Sequence, residues 1–402
     1  MNIKKVFIAV LSAANAVSIA AGLTLTAAGS SLAKSQSYNQ AAQRWDSGGG
    51  YTQVSCFFTE DAGFTVESAK GVTVDLTAKL KNIGVVSEEG EKLIPEAYSV
   101  DAGTMTIRSD TTGRSEAKVT AAGGDFFLFR DFKLLDGAFF TESDIMQDGA
   151  VIDRRLAWSL YGSTDVSGMN IYINGTKFYI AGVIEDPETK EEKKTAGDSP
   201  RAYISYEGAA LLNGGMSPMA ADIPNDSGMG GAGGAVESSS MNKINCYECI
   251  VPDPVENYAY NSVKEYFDGA YKDKCRVVNN SERFSPSKRA KAYKKLSSYA
   301  VADKPIVYPY WENASRMIEF KLSGIYFFRR LTYIIPVLTA LLLLVILWRA
   351  GGRLRRRVTA KTSDSITKVV YYHGQKKRQK KLQKEEQQEK QKNEQTENDP
   401  QT

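Results

Sequence analysis

The stretch that decides the fold covers residues 123–186 and reads GGDFFLFRDFKLLDGAFFTESDIMQDGAVIDRRLAWSLYGSTDVSGMNIYINGTKFYIAGVIED. Its last third alternates apolar and polar residues around the dipeptide Asn174-Gly175, with the apolar positions at Ile171, Ile173, Phe178, Ile180 and Gly182. Asn-Gly between two alternating runs is the strongest short signal of a β-hairpin. We therefore predict a hairpin at the end of this stretch.

The residues before the hairpin predict a strand followed by a short helix. Val151 and Ile152 form a short apolar run, which is typical of a buried strand. The next segment, residues 154–161, places apolar side chains on one helical face at Leu156, Ala157, Leu160 and Tyr161. Strand, short helix and hairpin together predict an α+β domain.

Length and charge limit the classes of protein that this chain can be. It has 402 residues and a formal net charge of +4, which is small for this length. Its two ends are unlike globular protein, and the middle, about 290 residues, can bury a sizeable core. No basic patch interleaved with aromatic residues occurs in the middle, so we predict no nucleic-acid partner.

Residues 1–33 predict an N-terminal transmembrane anchor. Lys4 and Lys5 precede an uncharged run at residues 6–28, and about 20 apolar residues suffice to cross a bilayer. A cleaved signal peptide is the competing interpretation, because residues 31–33 resemble a cleavage site. The run is longer than the ~7–15 apolar residues of a signal sequence. We favour a retained anchor, continued by a polar helix at residues 32–45.

Small residues recur every four positions along this anchor, at Ala14, Ser18 and Gly22. A face of small residues lets another helix approach closely, so these three form a candidate helix-packing face. The alternative is that small residues simply fill a weak anchor.

Residues 331–348 predict a second transmembrane helix, kinked by Pro336. The basic residues that follow are candidates for lipid headgroup contacts at about 1 kcal/mol each: Arg353, Arg355, Arg356 and Arg357. By the positive-inside rule they place both termini in the cytoplasm, so that the chain crosses the cell membrane twice and the middle is extracytoplasmic. The tail, residues 349–402, predicts disorder or an isolated charged helix.

The middle region, residues 34–330, predicts a mixed sheet with packed helices. Strands are expected at residues 51–58, 98–109, 116–121, 201–206, 244–251 and 276–278, and helices at residues 65–84, 207–212, 256–267 and 287–298. Residues 186–200 are charged and predict a solvated loop. Residues 213–240 are rich in glycine, methionine, serine and alanine, and predict a flexible insertion because they bury too little apolar surface to fold.

Four cysteines lie in the middle region: Cys56, Cys246, Cys249 and Cys275. An even count outside the cell permits disulfides, with three possible connectivities. Buried free thiols, redox chemistry and a metal site are the alternatives. A zinc site would lack a nearby histidine, and the spacing to Cys275 is long.

The residues of common catalytic sites do not come together in the middle region. The only histidine, His373, lies in the predicted cytoplasmic tail, which excludes Ser-His-Asp and Cys-His catalysis from the outer domain. Its acidic residues are typical of loops and helix caps. Redox chemistry of Cys246 and Cys249 is the one enzymatic hypothesis, although the pair falls within a predicted strand and not at the start of a helix. We predict a protein without catalytic residues, cofactor or metal.

Several short motifs occur in an order that resembles the MacB-like periplasmic core domain of FtsX/MacB-type ABC transporter permeases. They are Asp125-Phe126-Phe127, Leu135-Asp136-Gly137-Ala138-Phe139-Phe140, Asp144, Val151-Ile152-Asp153, Leu160-Tyr161-Gly162, and the hairpin from Gly168 to Val183. The layout of membrane helix, helical stalk, outer domain and second membrane helix extends the resemblance over most of the chain.

The resemblance implies a non-catalytic outer domain that couples mechanically to its membrane helices and works with a separate cytoplasmic ATPase. Family permeases typically have three membrane helices after this domain, whereas this chain has one. The family's second, inserted part would fall between Tyr206 and Ile244, where the sequence is short and rich in glycine.

We therefore expect a two-pass accessory or degenerate permease subunit in a reduced, two-helix form. Its expected partners are membrane lipids and a membrane-protein permease subunit, with self-association into a homo-oligomer as a further option. The alternative is a membrane-anchored extracytoplasmic sensor or binding module unrelated to transport.

Overall fold

The computed structural model describes residues 3–86, 91–187, 189–212, 243–293 and 305–397. The predicted insertion at residues 213–240 lies outside this set, as do the side chains of residues 353–358. The chain divides into two compact units: a terminal unit of Met1–Ala20 and Thr332–Thr402, and a middle unit of Ala21–Leu331.

Two helical stretches among the described residues are long and apolar enough to cross a membrane, Lys5–Lys34 and Tyr310–Gly352. The first belongs to helix α1, Ile3–Lys34. The second covers helix α11, Tyr310–Thr332, and the start of helix α12, Ile334–Glu397. The tail therefore continues as a helix, which is the second of the two predicted alternatives.

The terminal unit shows how the second membrane helix is interrupted. We predicted a kink at Pro336, and the helix breaks three residues earlier, at Tyr333. Pro336 has no N–H to offer the carbonyl of Thr332 four residues earlier, and its ring crowds that carbonyl. The hydroxyl of Ser18 donates a hydrogen bond to this Thr332 carbonyl instead. One helix thus supplies the donor that the proline removes from the other.

The middle unit is built on one ten-stranded mixed sheet with the order β10-β1-β9-β2-β3-β8-β5-β7-β4, with β6 pairing both β2 and β7. The strands are β1 Tyr51–Phe58, β2 Glu96–Ser109, β3 Arg114–Gly124, β4 Leu134–Gly137, β5 Gly149–Asp153, β6 Asn170–Ile173, β7 Thr176–Ile184, β8 Arg201–Ser205, β9 Cys246–Pro252 and β10 Cys275–Asn279.

Short helices join these strands. They are α2 Ala41–Trp45, α3 Val66–Asn82, α4 Phe126–Phe129, α5 Arg154–Tyr161, α6 Lys190–Ala196, α7 Tyr206–Leu212, α8 Tyr258–Ala270, α9 Asn280–Arg283 and α10 Pro286–Ala292. The predicted fold class, a mixed sheet with packed helices between two candidate membrane helices, is confirmed.

The hairpin that opened the sequence analysis is β6 and β7. Its register pairs Ile173 with Thr176 and Ile171 with Phe178. Asn174 and Gly175 both have positive φ, 49° and 90°. Two positive φ values define the turn that matches the right-handed twist of paired strands, which is why Asn-Gly predicted it.

The two faces of the sheet have different partners. One face carries two apolar clusters, one around β3, β5, β8 and α5, and the other around β1, β9, α3 and α8. Alternate residues of the same strands, such as Tyr203 and Ile250, face the other side. There they pack against Ala41 of α2, Phe129 of α4 and Trp311 of α11. The second face is therefore covered by α2 and α11, which adjoin the candidate membrane helices in the chain, and by α4.

Three predicted segments differ from the structure. Residues 186–200 contain helix α6, which Thr189 and Glu192 cap reciprocally. The polar helix predicted at residues 32–45 is broken, because α1 ends at Lys34 and a 3-10 turn, Ser37–Asn39, precedes α2. Helix α11 begins about 20 residues before the predicted span and carries charged residues that are buried in the domain, namely Glu312 and Glu319.

Candidate functional site at the stalk junction

The candidate site is the place where two segments of the chain meet the sheet. The first stalk segment is the end of α1 with the chain that follows it through α2, and the second stalk segment is α11. We call this place the stalk junction, and it consists of Tyr38, Asn39, Gln53, Arg130, Glu248, Arg283, Trp311, Glu312, Ser315 and Glu319. All lie in the middle unit. Most are buried charged or amide side chains, so each needs a partner that only this fold provides.

Gln53 of β1 holds the segment that follows α1. Its side chain is fully buried, accepts a hydrogen bond from the Ala41 N–H at 2.9 Å and donates to the Tyr38 carbonyl at 2.9 Å. A side-chain amide can donate and accept hydrogen bonds at the same time. One side chain therefore satisfies both the Ala41 N–H and the Tyr38 carbonyl. The end of the first stalk segment is thus fixed to strand β1.

Arg130 connects the start of α11 to strand β9. It is 1% exposed, forms an ion pair with Glu248 of β9, and its guanidinium carbon lies 4.3 Å from the centre of the Trp311 ring. Glu248 also accepts a hydrogen bond from Ser55 of β1 at 2.7 Å. Burial lowers the pKa of Arg130.

Arg283 of α9 clamps the side of α11. Its guanidinium donates two hydrogen bonds to Glu312, at 2.7 and 2.5 Å, and its Nε lies 3.1 Å from Glu319. Burial lowers the pKa of Arg283, but the charges of Glu312 and Glu319 outweigh that effect and raise it. The planar fork of arginine suits two carboxylates better than lysine would.

The two stalk segments also touch each other. Asn39 donates a hydrogen bond to Ser315 of α11 at 2.8 Å, between two buried side chains. A second close approach joins Gly29 of α1 and Tyr326 of α11, where a Cβ added to the glycine would lie only 2.7 Å from a ring carbon of the tyrosine. Gly29 is therefore a position where the absence of a side chain permits close helix packing.

These contacts make the junction a mechanical connection. The two stalk segments are hydrogen-bonded to each other, and the first is hydrogen-bonded to strand β1 through Gln53. Trp311 of α11 packs against Arg130, which forms an ion pair with Glu248 of β9. Removing one member of a buried ion pair costs roughly 3–5 kcal/mol, because the remaining charge has no partner. A displacement of either stalk segment must therefore displace these strands or break costly contacts.

A cleft of about 590 Å³ opens beside the junction. Carboxylates of Asp131, Asp153, Glu185, Asp186 and Glu192 and rings of Tyr38, Phe132, Tyr203 and Tyr310 line it, together with Lys34, Lys133 and Arg201. Burial raises the pKa of Asp153 to about 6, although the N–H groups of Leu156 and Arg201 lower it. Burial also raises the pKa of Tyr203 far above its usual range.

The four cysteines are free thiols in the structure. Cys246 and Cys249 lie three residues apart in strand β9, so their side chains point to opposite faces of the sheet. Burial raises the pKa of both, that of Cys246 to about 12. Two deeply buried thiols on opposite faces cannot act as a dithiol, which argues against the redox-enzyme hypothesis.

The other candidate site residues are distributed as follows. Ser18 and Gly22 are buried and Ala14 is half-buried, so the small-residue face is largely covered, and its role in helix packing stays a prediction. The arginines at 353 and 355–357 lie where side chains are not described. Within the described ranges, no group of three or more His, Cys, Asp or Glu side chains could hold a metal ion.

Comparison with known families decides what kind of domain this is. The pattern that defines the MacB-like periplasmic core domain matches residues 6–225, more than half of the chain. The chain belongs to the MacB-like periplasmic core domain family. It is a membrane protein of the ABC-transporter-permease type with an extracytoplasmic middle.

Two solved structures are similar to this MacB-like chain. One is the periplasmic region of MacB from Actinobacillus actinomycetemcomitans, at 14% identity over 57% of this chain and 89% of that chain, with a TM-score of 0.35. The other is the extracellular domain of the noncanonic ABC-type transporter YknZ from Gram-positive bacteria, at 13% identity over 56% and 100%, with a TM-score of 0.35. No curated protein matches the chain.

The junction residues of this MacB-like domain escaped the sequence analysis. Arg130 follows four apolar residues, and such a context already signals a buried charge that needs a partner. Glu312, Ser315 and Glu319 recur at helical spacing of three and four, which places them on one face. Neither signal predicts the partner residue. The partner of Arg130 is Glu248 and that of Glu312 is Arg283, and both lie far away in the sequence.

Proposed function

We propose that this chain is an accessory or degenerate permease subunit whose outer domain passes movement between its membrane helices and a partner membrane protein. The observation that supports this most is the stalk junction, where the two stalk segments are hydrogen-bonded to each other, the first is hydrogen-bonded to β1, and the second contacts β9 through Arg130. The expected partners are a permease subunit and a separate cytoplasmic ATPase. We further propose residues 1–33 and 331–348 as the two spans, with both termini in the cytoplasm.

Purification of the tagged full chain in mild detergent tests the partnership. We expect a permease and an ABC-type ATPase to be recovered with it and identified by mass spectrometry. Recovery of the chain alone, in mild detergents and after cross-linking in intact membranes, would contradict the proposal.

The coupling itself can be tested in that complex with Asn39→Ala. This change removes the hydrogen bond to Ser315 between the stalk segments without leaving a buried charge. We expect a lower rate of ATP hydrolysis by the complex at unchanged complex yield. Asn261→Ala, on the exposed side of α8, is the matched control and should leave the rate unchanged.

Topology is tested with a thiol probe that cannot cross membranes. The background is Cys275→Ser, which removes the half-buried native thiol. We expect labelling of Thr112→Cys, in the exposed β2–β3 turn, and no labelling of Ser363→Cys in the tail. The opposite labelling pattern would overturn the orientation.

The cleft beside the junction supports a second candidate, an extracytoplasmic sensor or binding module. Four aromatic rings line the cleft together with carboxylates such as Asp131 and Asp153, so it suits an aromatic organic cation. Titration calorimetry of the full chain in detergent should then detect tetraphenylphosphonium and not tetraphenylborate, which has the same shape and the opposite charge. Equal binding of both ions would reject this candidate.

A further inference from the structure

Strand β10 is the outermost strand of the sheet and places one cysteine beside another. It pairs antiparallel with β1, where Phe58 lies opposite Cys275 and Cys56 lies opposite Val277. Side chains two residues apart in a strand share a face, so Cys56 and Cys275 are diagonal neighbours on the same face. Both are free thiols in the structure.

A second cysteine is diagonal to Cys56 on the other side. In strand β9, Cys249 lies opposite Val54, two residues from Cys56. Cys249 is completely buried, whereas Cys275 is partly exposed. An oxidant in solution can therefore reach Cys275 and not Cys249, which singles out Cys275 as the partner of Cys56.

We propose that Cys56 and Cys275 are a thiol pair that is oxidised to an intramolecular disulfide outside the cell, tying the edge strand β10 to β1. The oxidant is a disulfide compound or a protein disulfide of the extracytoplasmic space, where such bonds persist. This inference concerns the domain's own covalent structure and does not depend on the proposed permease role.

The reaction proceeds by two thiol–disulfide exchanges. The partly exposed Cys275 attacks the oxidant RSSR as its thiolate, which forms a mixed disulfide on Cys275 and releases one RSH. Cys56 then attacks this mixed disulfide, forms the Cys56–Cys275 bond and releases the second RSH, so the two protein thiols are oxidised as one RSSR is reduced. Burial raises the pKa of the Cys56 thiol, so the second exchange is expected to be the slower one.

The edge position of β10 makes the bond geometrically accessible. A disulfide needs Cβ atoms about 3.5–4.5 Å apart, and diagonal neighbours in an antiparallel pair start somewhat farther apart. Strand β10 must therefore move slightly toward β1. It pairs with β1 alone among the described strands, so one neighbour restrains it.

The disulfide would act on the stalk junction through a short path. Strand β10 ends at Asn279, which caps helix α9, and α9 carries Arg283 with its hydrogen bonds to Glu312 of α11. A disulfide between β10 and β1 limits how far α9, with Arg283, can move away from the sheet. The oxidised domain is therefore expected to hold α11 more firmly than the reduced domain.

Peptide mapping of the full chain in detergent tests the pairing. The protein is incubated with cystamine, remaining thiols are blocked with N-ethylmaleimide, and the unreduced digest is analysed by mass spectrometry. We expect a peptide linked through Cys56 and Cys275 in wild type and in the Cys249→Ser control, and its loss in Cys275→Ser. Amide hydrogen exchange in residues 275–279 should become slower in the oxidised wild-type protein, and not in Cys275→Ser, which keeps the buried Cys56 intact.

Three results would overturn the proposal. The first is a Cys56–Cys249 link, the second is a link between two chains, and the third is a persistent mixed disulfide on Cys275 with Cys56 still free. The mass of the linked or modified peptide distinguishes these products from the expected one.

Discussion

The guanidinium of Arg130 lies 4.3 Å from the centre of the Trp311 ring and forms an ion pair with Glu248. These three residues come from the end of α4, the start of α11 and the middle of β9. A cation over an indole face contributes about 2 kcal/mol when it is desolvated. The contact therefore joins the second stalk helix to the centre of the sheet through a single side chain.

Arg130→Met should strongly destabilise the middle unit. The change leaves Glu248 buried without its counter-ion, so the free energy of unfolding should fall by about 3–5 kcal/mol. Chemical unfolding followed by tryptophan fluorescence measures the change. Lys264→Met removes an exposed ion pair with Asp268 and should have no measurable effect. A similar small effect of both substitutions would show that Arg130 does not hold the junction.

Glu312→Gln should weaken the clamp on α11. The amide keeps one acceptor for Arg283 but loses the charge, so we expect a loss of about 2 kcal/mol or more, because Arg283 is buried. The thermal midpoint of the full chain in detergent reports this loss. Glu265→Gln, in an exposed pair with Lys79, is the control and should leave the midpoint in place. Equal midpoints for all three proteins would contradict the assignment.

Gly29→Ala and Gly324→Ala form a matched pair in the two stalk helices. At Gly29 the new methyl would lie 2.7 Å from the Tyr326 ring, whereas at Gly324 it meets nothing within 4 Å. Overpacking costs about 1–3 kcal/mol, and alanine in an open helix position contributes up to about 1 kcal/mol. The midpoint temperature of thermal unfolding should therefore fall for Gly29→Ala. For Gly324→Ala it should stay the same or rise. A downward shift for both would indicate a general loss of helix flexibility and not a steric contact.

Asp153 should make stability depend on pH. Burial raises its pKa from 3.8 to about 6, so the folded state binds this proton more tightly than the unfolded state. The resulting stability is complete below about pH 4 and is lost as pH rises through 6, by about 3 kcal/mol at most. Asp153→Asn cannot titrate and should lack this decline in unfolding curves from pH 4 to 7. The exposed Asp165→Asn should follow wild type, and a wild-type decline in Asp153→Asn would assign the titration elsewhere.

Ser18 and Pro336 should show coupled effects. Ser18→Ala removes the donor to the Thr332 carbonyl and should cost about 0.5–2 kcal/mol, as for hydrogen bonds between membrane helices. In a Pro336→Ala background, residue 336 regains an N–H that can serve this carbonyl, and the cost should largely disappear. A double-mutant cycle from unfolding in detergent measures the coupling, with the exposed Ser12→Ala as control. Additive effects would mean that the proline does not create the need for Ser18.

Local patterns predicted those elements that depend on a few neighbouring residues. The Asn174-Gly175 turn, helix α5 and strand β1 follow from alternation, helical spacing and turn chemistry, and the structure has α5 and β1 at the predicted bounds. Helix α6 was missed because five of its seven residues are charged, so no apolar period marks it. The capping box at Thr189 and Glu192 was the available signal.

The sequence by itself determined two candidate membrane helices, a mixed α+β domain and its family, because apolar run length, period and motif order are local properties. Only the tertiary structure placed β9 between β1 and β2 and paired Arg130 with Glu248, 118 positions away in the chain. The same holds for the register that makes Cys56 and Cys275 diagonal neighbours. Such pairs depend on which strands become neighbours, and that choice is made by burial of the whole sheet and not by any single stretch.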